Sequence, residues 1–254
     1  MTKIIGLIPS RLASTRFPRK PLADILGRPM IWWTYMRAKQ AKLLDELYVC
    51  TESDEIKKVC GSFGAPVIMT SDRHASGTDR LAEAATKVKG DFYVNVQGDE
   101  PMIDPRCIDV LCKYLLDHPD VYVCNTMAEI TDPMDLINPT VPKIVPTIGN
   151  RFLYGSRAPV PFPKGAIGYK FWRQVCIYGF SPAALRFFAD HPEEGPVERI
   201  EGIELMRFVE HGHPLQMIPV ESDNIAVDTP NDLEKVRKIM AGAKWAKELL
   251  KAGK

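Results

Sequence analysis

The chain has 254 residues, with 33 Lys+Arg against 32 Asp+Glu for a formal charge of +1, and 45% of its residues are apolar. That balance, without a basic run, argues against a surface built to neutralise a nucleic-acid backbone or an anionic membrane. The apolar fraction excludes a disordered chain, and the length suffices for a core that needs no disulfide staples. The six cysteines contain no C-x-x-C pair and fall largely in apolar stretches, so reduced, buried thiols are expected. The opening apolar run Ile4–Ile8 is too brief for a secretory signal, and no apolar run reaches the roughly 18 residues of a membrane span. A cytoplasmic protein is expected, with no nucleic-acid partner and no membrane insertion.

Taken in chain order, the first half alternates strand-type and helix-type patterns. Lys3–Ile8 reads as a strand, Pro29–Leu44 as a helix, Leu47–Thr51 as a strand, Asp54–Phe63 as a helix and Pro66–Met69 as a strand. Thr78–Val88 follows as a helix, Asp91–Val96 as a strand, Pro105–Asp117 as a helix and Val121–Met127 as a strand. Strand then helix at this spacing is the pattern of βαβ units, which predicts an α/β fold with a Rossmann-like, mostly parallel sheet flanked by helices. Ligands in such sheets sit at the carboxyl ends of strands. From Asp132 to Ile177 seven prolines interrupt the pattern, and Pro disfavours central helix and central strand alike. A smaller subsidiary sheet is expected there, within a single domain of residues 1–254, with 132–180 as a sugar-binding or dimerisation region. Helices return at Pro182–Ala189, Val197–Glu210 and Pro230–Lys251, with a strand at Leu215–Val220.

The loop Pro9–Leu22 follows the first strand directly and carries four cations and three hydroxyls, chemistry that suits a polyphosphate; a solvated basic turn is the alternative. Neither G-x-G-x-x-G nor G-x-x-x-x-G-K-[ST] occurs, so side-chain cations rather than a glycine-rich cradle would neutralise a triphosphate. Asp99, in Gln97-Gly98-Asp99-Glu100-Pro101 after the fourth strand, is placed for Mg²⁺ or for a simple turn. Asp228, in Val227-Asp228-Thr229-Pro230, is a second carboxylate suited to a metal, to capping the next helix, or to both. Ser76 or Thr78 suits a helix cap, and Arg157 suits an anionic substrate group or a structural ion pair. Glu198, Glu201 and Glu204 read as a solvated helix face. The five histidines show no zinc spacing.

Together these segments resemble the 3-deoxy-manno-octulosonate (Kdo) cytidylyltransferases, or CMP-Kdo synthetases. The resemblance rests on Ile8-Pro9-Ser10-Arg11 through Lys20-Pro21-Leu22, Ser76-Gly77-Thr78-Asp79-Arg80, Val94 through Pro101, Ser156-Arg157 and Val227 through Pro230. It implies a nucleotide-diphospho-sugar transferase fold, CTP as nucleotide, an acidic 2-keto sugar as acceptor, Mg²⁺ as cofactor and a homodimer. Carried over by position, Ser10, Arg11, Ser14 and Lys20 would hold the triphosphate, while Ser76, Thr78 and Arg80 would lie near the cytidine. Asp99 and Asp228 would bind Mg²⁺ and, with Arg11 and Lys20, form the catalytic set. Gln97, Arg157, Tyr178 and Glu204 would surround the sugar, with Arg157 on its carboxylate. Three positions depart from the family pattern: Arg19 replaces a usual glycine, Gln174 a common histidine four residues before Tyr178, and Leu205 a usual Gln. Gln174 and Leu205 fall on the sugar side, which leaves open an amino-substituted analogue, another nonulosonate-type sugar, or a small phosphonate or carboxylate as acceptor. A non-catalytic nucleotide-binding protein of the same fold is the rival from another class.

Overall fold

The structure is a computed structural model describing residues 2–13, 17–165 and 168–252. Strand β1 (Ile4–Pro9) is buried along its whole length, as a strand covered on both faces must be. Its alternate residues feed two cores: Ile4 and Ile8 enter one, Ile5 and Leu7 the other. The chain then forms a short 3₁₀ turn at Lys20–Leu22 and the hairpin strands β2 (Asp24–Ile25) and β3 (Arg28–Pro29), a separate two-stranded antiparallel sheet. There follow α1 (Met30–Ala38), β4 (Glu46–Thr51), α2 (Asp54–Gly61), β5 (Val67–Met69), α3 (Gly77–Lys87), β6 (Phe92–Val96), α4 (Pro105–Asp117) and β7 (Val123–Glu129). The remainder comprises α5 (Pro133–Ile137), β8 (Lys143–Pro146), β9 (Phe152–Ser156), β10 (Trp172–Phe180), α6 (Pro182–Asp190), α7 (Pro196–Glu201), α8 (Met206–Glu210), β11 (Leu215–Pro219), α9 (Pro230–Gly242) and α10 (Lys244–Ala252).

The main sheet runs β11-β7-β10-β6-β1-β4-β5. Its β4–β1–β6, β4–β5 and β7–β11 pairings are parallel, and only β10 runs against its neighbours β6 and β7. The mostly parallel, helix-flanked sheet expected from the sequence is therefore present. One core lies under α1, α2 and α4, a second under α3, α6 and α8, and a third joins Trp32 and Trp33 to α9, α10 and Val227. Among the described residues no helix is long and apolar enough to cross a membrane.

Beyond shifts of one or two residues at element ends, the structure departs from the sequence reading in four places. The helix expected over 29–44 stops at Ala38, because the N–H groups of Lys42 and Leu43 turn to the Asp109 carboxylate at 2.7 and 2.9 Å instead of continuing the helical ladder. The expected helix 197–210 is two helices, broken where Gly202 adopts φ 61° and takes the Glu198 carbonyl at 2.7 Å, a left-handed cap that glycine adopts at little cost. The long C-terminal helix is likewise divided, with an extended Ala243 between α9 and α10. Finally, the Pro-rich stretch is not wholly peripheral: the proline-free run Trp172–Phe180 inserts as β10 into the middle of the main sheet, and β8 and β9 extend that same sheet from its side.

Candidate active site

The carboxyl ends of β1 and β6 converge on a cleft of about 1910 Å³, larger than the roughly 300–1,000 Å³ of a pocket for one small ligand and roomy enough for a nucleotide and a second substrate together. Gly98 permits the convergence: a Cβ there would lie 2.5 Å from the Pro9 carbonyl oxygen. Thr34 of α1 donates to the Gly98 carbonyl at 3.2 Å and holds the turn from behind. Beside it, the buried Oγ of Ser10 has no hydrogen-bond partner among the described residues, in a residue that lines the cleft.

Asp99 and Asp228 meet at this floor. The Val227 N–H donates to the Asp99 carbonyl oxygen at 2.9 Å, so the two segments are joined by backbone. Lys20 stands between the carboxylates, its Nζ 2.7 Å from Asp99 Oδ2 and 3.6 Å from Asp228 Oδ1. The helix cap at α9 falls to Thr229, whose hydroxyl and Asp232 form a reciprocal capping box, so the Asp228 side chain is turned to the cleft rather than spent on the helix. Lys20 is presented by its 3₁₀ turn, and the residue before it, Arg19, has φ 58° and ψ 25°. A left-handed backbone is natural for glycine and costs other residues about 1 kcal/mol, which gives a physical reason for the glycine usual at this position. The Arg19 guanidinium pairs with Glu55 on α2 and makes no call on the cleft. Arg11 lines the cleft beside Lys20. Ser14 lies outside the described residues.

On the nucleotide side, Ser76 caps α3 in a box with Asp79 and lines the cleft. Arg80 also lines it, but its guanidinium is committed to Glu52 at 2.9 Å and to the Ser71 carbonyl at 3.2 Å. Thr78 is buried and donates to Glu204 instead of lining the cleft.

On the opposite wall, Gln97, Arg157, Gln174, Tyr178 and Glu204 all line the cleft. Arg157 is anchored through three donors: Nε to Glu201 O at 2.6 Å, Nη1 to Pro139 O at 2.9 Å and Nη2 to Gly202 O at 3.2 Å. Because the helix breaks at Gly202, Glu204 lies in the connection to α8 and faces inward, correcting the solvated face expected from its spacing. Burial pushes its carboxyl above the ordinary range despite the bond from Thr78. Leu205 belongs to the second core and does not line the cleft, so its departure from the family pattern is taken up by packing.

Glu198, expected with Glu201 and Glu204 on a solvated helix face, is instead buried, and Arg207, Glu210 and Glu100 carry no signal in the sequence pattern. Glu198 is buried against Arg207 in a bidentate pair at 2.7 and 2.8 Å, with Arg207 stacked 3.8 Å over the Phe188 ring, and both residues border the cleft with Glu204. Glu210 caps α7 by accepting from the N–H groups of Val197 and Glu198 at 2.9 and 3.0 Å. Glu100 is buried beside Asp99, and burial followed by the Asp99 charge pushes its carboxyl up to about 7.

Asp99 and Asp228 bring hard oxygen donors to one point where the Lys20 ammonium stands between them, a set that fits a divalent cation. Among the described residues no three His, Cys, Asp or Glu side chains form a complete metal site, so substrate oxygens and water would supply the remaining ligands.

A strand-end cleft of this kind, with paired carboxylates and a loop lysine, defines a nucleotidyltransferase, and the family model described as cytidylyltransferase matches residues 5–221. The chain is 38% identical over 241 residues to a 3-deoxy-manno-octulosonate cytidylyltransferase of Escherichia coli, covering 95% of this chain and 97% of that one. It is 40% identical over 249 residues to that of Francisella tularensis subsp. holarctica, covering 94% and 99%. The solved structure of CMP:2-keto-3-deoxy-manno-octonic acid synthetase complexed with CTP matches with a TM-score of 0.89 and 37% identity, covering 94% of this chain and 99% of that one. The chain belongs to the 3-deoxy-manno-octulosonate cytidylyltransferase family.

Proposed function

We propose that the protein transfers a cytidylyl group from CTP to an acidic 2-keto-3-deoxy sugar, Kdo or a close analogue, giving the CMP-sugar and pyrophosphate. The observation that carries this reading is the placement of Lys20 between Asp99 and Asp228 on the cleft floor, in a chain of this family. The anomeric oxygen bonds to the α-phosphorus as the bond from that phosphorus to the pyrophosphate oxygen breaks. Both reactants are anions, so neutralising charge is the main task. Mg²⁺, when held by Asp99 and Asp228, would screen the phosphate oxygens and lower the pKa of the attacking hydroxyl. Arg11 and Lys20 stabilise the departing pyrophosphate, and Ser10 and Ser76 orient the nucleotide. Arg157 uses three of the five guanidinium N–H donors on carbonyls, which leaves two for the sugar carboxylate. Gln97, Tyr178 and Glu204 complete the sugar wall.

Residues 132–180 act as the sugar-binding and dimerisation region in this reading. The exposed Ile148 and Leu153 of the β8–β9 hairpin support a homodimer contact, and sedimentation at micromolar concentration tests it. Six cysteines without a disulfide suit the cytoplasm. The decisive assay is pyrophosphate release from CTP with Mg²⁺ against Kdo, its amino analogues and sialic-type sugars, with ATP, GTP and UTP as controls. Turnover with CTP and an acid sugar is expected; CTP binding without turnover on any acceptor would sink the enzymatic reading.

A further inference from the structure

Strand β10 does not pair evenly with β7. The register jumps between Val175 opposite Thr126 and Tyr178 opposite Asn125, so two extra residues of β10 bulge out at the cleft wall. Bulges re-aim side chains next to binding sites; here Gln174, Cys176 and Tyr178 line the cleft while Val175 and Ile177 enter the core behind them. The Val175 and Ile177 carbonyls at the bulge accept from side chains of β7. Asn125, fully buried on β7, donates to both through Nδ2 at 2.8 Å each, and the Thr126 hydroxyl reaches the same oxygens at 3.1 and 3.3 Å.

This arrangement fixes the direction of two side-chain amides. Carbonyl oxygens only accept, so Asn125 can face them only with its nitrogen, and its Oδ1 is thereby turned the other way. That oxygen accepts from Gln174 Nε2 at 3.3 Å, while the Gln174 backbone N–H is held by the Pro142 carbonyl at 3.0 Å. Reversing the Gln174 amide would set two oxygens against each other in a buried place. The Gln174 Oε1 accepts from none of the described residues, is not among the fully buried atoms without partners, and belongs to a side chain that lines the cleft. Gln174 thus turns its amide oxygen, an acceptor, toward the cleft, while one of its two N–H donors is held by Asn125.

We propose that Asn125 is a positioning residue that locks the Gln174 amide with its oxygen toward the cleft, so that Gln174 selects acceptor sugars placing a hydroxyl or an ammonium there. This rests on the acid-sugar reading above. A substituent that only accepts, such as an ether or a carboxylate oxygen, leaves Oε1 desolvated and unpaired, which sites of this kind discriminate against strongly.

Steady-state kinetics with CTP and Kdo test the proposal. Gln174→Leu and Asn125→Leu are each expected to raise KM for the sugar about tenfold, the scale of one hydrogen bond to a buried acceptor, with KM for CTP unchanged. Thr126→Val, which removes only the second donor to the bulge carbonyls, is expected to leave the sugar KM as in wild type. Among Kdo analogues each capped at one hydroxyl as a methyl ether, wild type should reject one that Gln174→Leu accepts as readily as Kdo. Equal discrimination by the two enzymes, or a loss of thermal stability in Asn125→Leu without a change in sugar KM, would overturn the proposal.

A second readout needs no turnover. In ¹⁵N-labelled protein the Gln174 side-chain amide, assigned by its loss in Gln174→Leu, should exchange with water more slowly in wild type than in Asn125→Leu. Equal exchange removes the lock whatever the substrate. Wild-type silence with every acid sugar would instead remove the substrate reading, and the selection with it, even where the exchange rates differ.

Discussion

The Val227 N–H donates to the Asp99 carbonyl oxygen at 2.9 Å, and this backbone bond holds Asp228, in the irregular segment that leads into α9, against the carboxylate that follows β6. The residues are 129 positions apart in the chain, yet their side chains share one lysine. Asp99→Asn and Asp228→Asn keep shape and remove charge. Each is expected to lower turnover by about 10²-fold or more, with circular dichroism unchanged. The double variant should be little worse than either single one, since residues that act as a unit are not additive. Near-wild-type turnover in either single variant would remove that carboxylate from the metal role.

Lys20 raises a separate point. Its ammonium, 2.7 Å from Asp99, offsets part of the negative charge of the floor before any substrate arrives and repels a cation seeking the same carboxylates. Lys20→Met is therefore expected to bind Mn²⁺ more tightly than wild type in the absence of nucleotide, by roughly tenfold for the loss of one adjacent like charge at an effective surface dielectric. With CTP present the order should reverse, because the lysine is then lost as a phosphate partner. A Mn²⁺ titration followed by electron paramagnetic resonance, with and without CTP, checks both halves. Equal affinity in the two nucleotide-free proteins would mean that Asp99 and Asp228 do not hold the cation.

How much of this was legible depended on whether one stretch of chain contained the cause. Asp99 could be placed because the strand Phe92–Val96 leads directly into the Gln97-Gly98-Asp99 turn, and the Pro9–Leu22 loop because it follows β1 in the position where parallel sheets bind ligands. The break at Gly202 was written locally as a glycine, but its effect, turning Glu204 inward, depends on Thr78 from α3. The carbonyls that anchor Arg157 and the Asn125 contact with Gln174 join segments far apart in the chain, and the Glu198–Arg207 pair spans the break between α7 and α8, so no periodicity reveals them. The insertion of β10 between β6 and β7 is a choice of topology, and nothing in Trp172–Phe180 alone distinguishes a central strand from an edge.

The Glu198–Arg207 pair has both side chains 3% exposed, so neither charge can turn to water if its partner is removed. Arg207→Met should cost about 3–5 kcal/mol of stability by leaving a buried carboxylate uncompensated. Arg207→Lys should recover only part of this, because lysine keeps the charge but not the two-point fork or the stacking on Phe188. Replacing both, Glu198→Leu with Arg207→Met, should lie closer to wild type than Arg207→Met alone. Urea unfolding midpoints order the four proteins, and a double replacement no better than Arg207→Met would show that packing, not charge, sets the cost.

Glu83 supplies the pH dependence. Burial works to raise its carboxyl, but bonds from Lys87 Nζ at 2.7 Å, the Ser71 N–H at 2.8 Å and His74 outweigh it and bring the group down to about 2. Through these bonds α3 holds the 71–76 segment that ends in the cleft residue Ser76. In the unfolded chain the same carboxyl titrates near its ordinary value of about 4.3. A depressed native pKa means that the unfolded state binds the proton first, so the group's contribution is complete above about pH 4.5 and is lost as pH falls through about 2. Glu83→Gln lacks that titration. Its melting temperature is expected to lie below wild type at pH 6, with the gap closing as the pH is lowered to 2. A gap of constant size across that range would show that the three bonds act through shape alone and that the carboxylate charge contributes nothing to holding the segment.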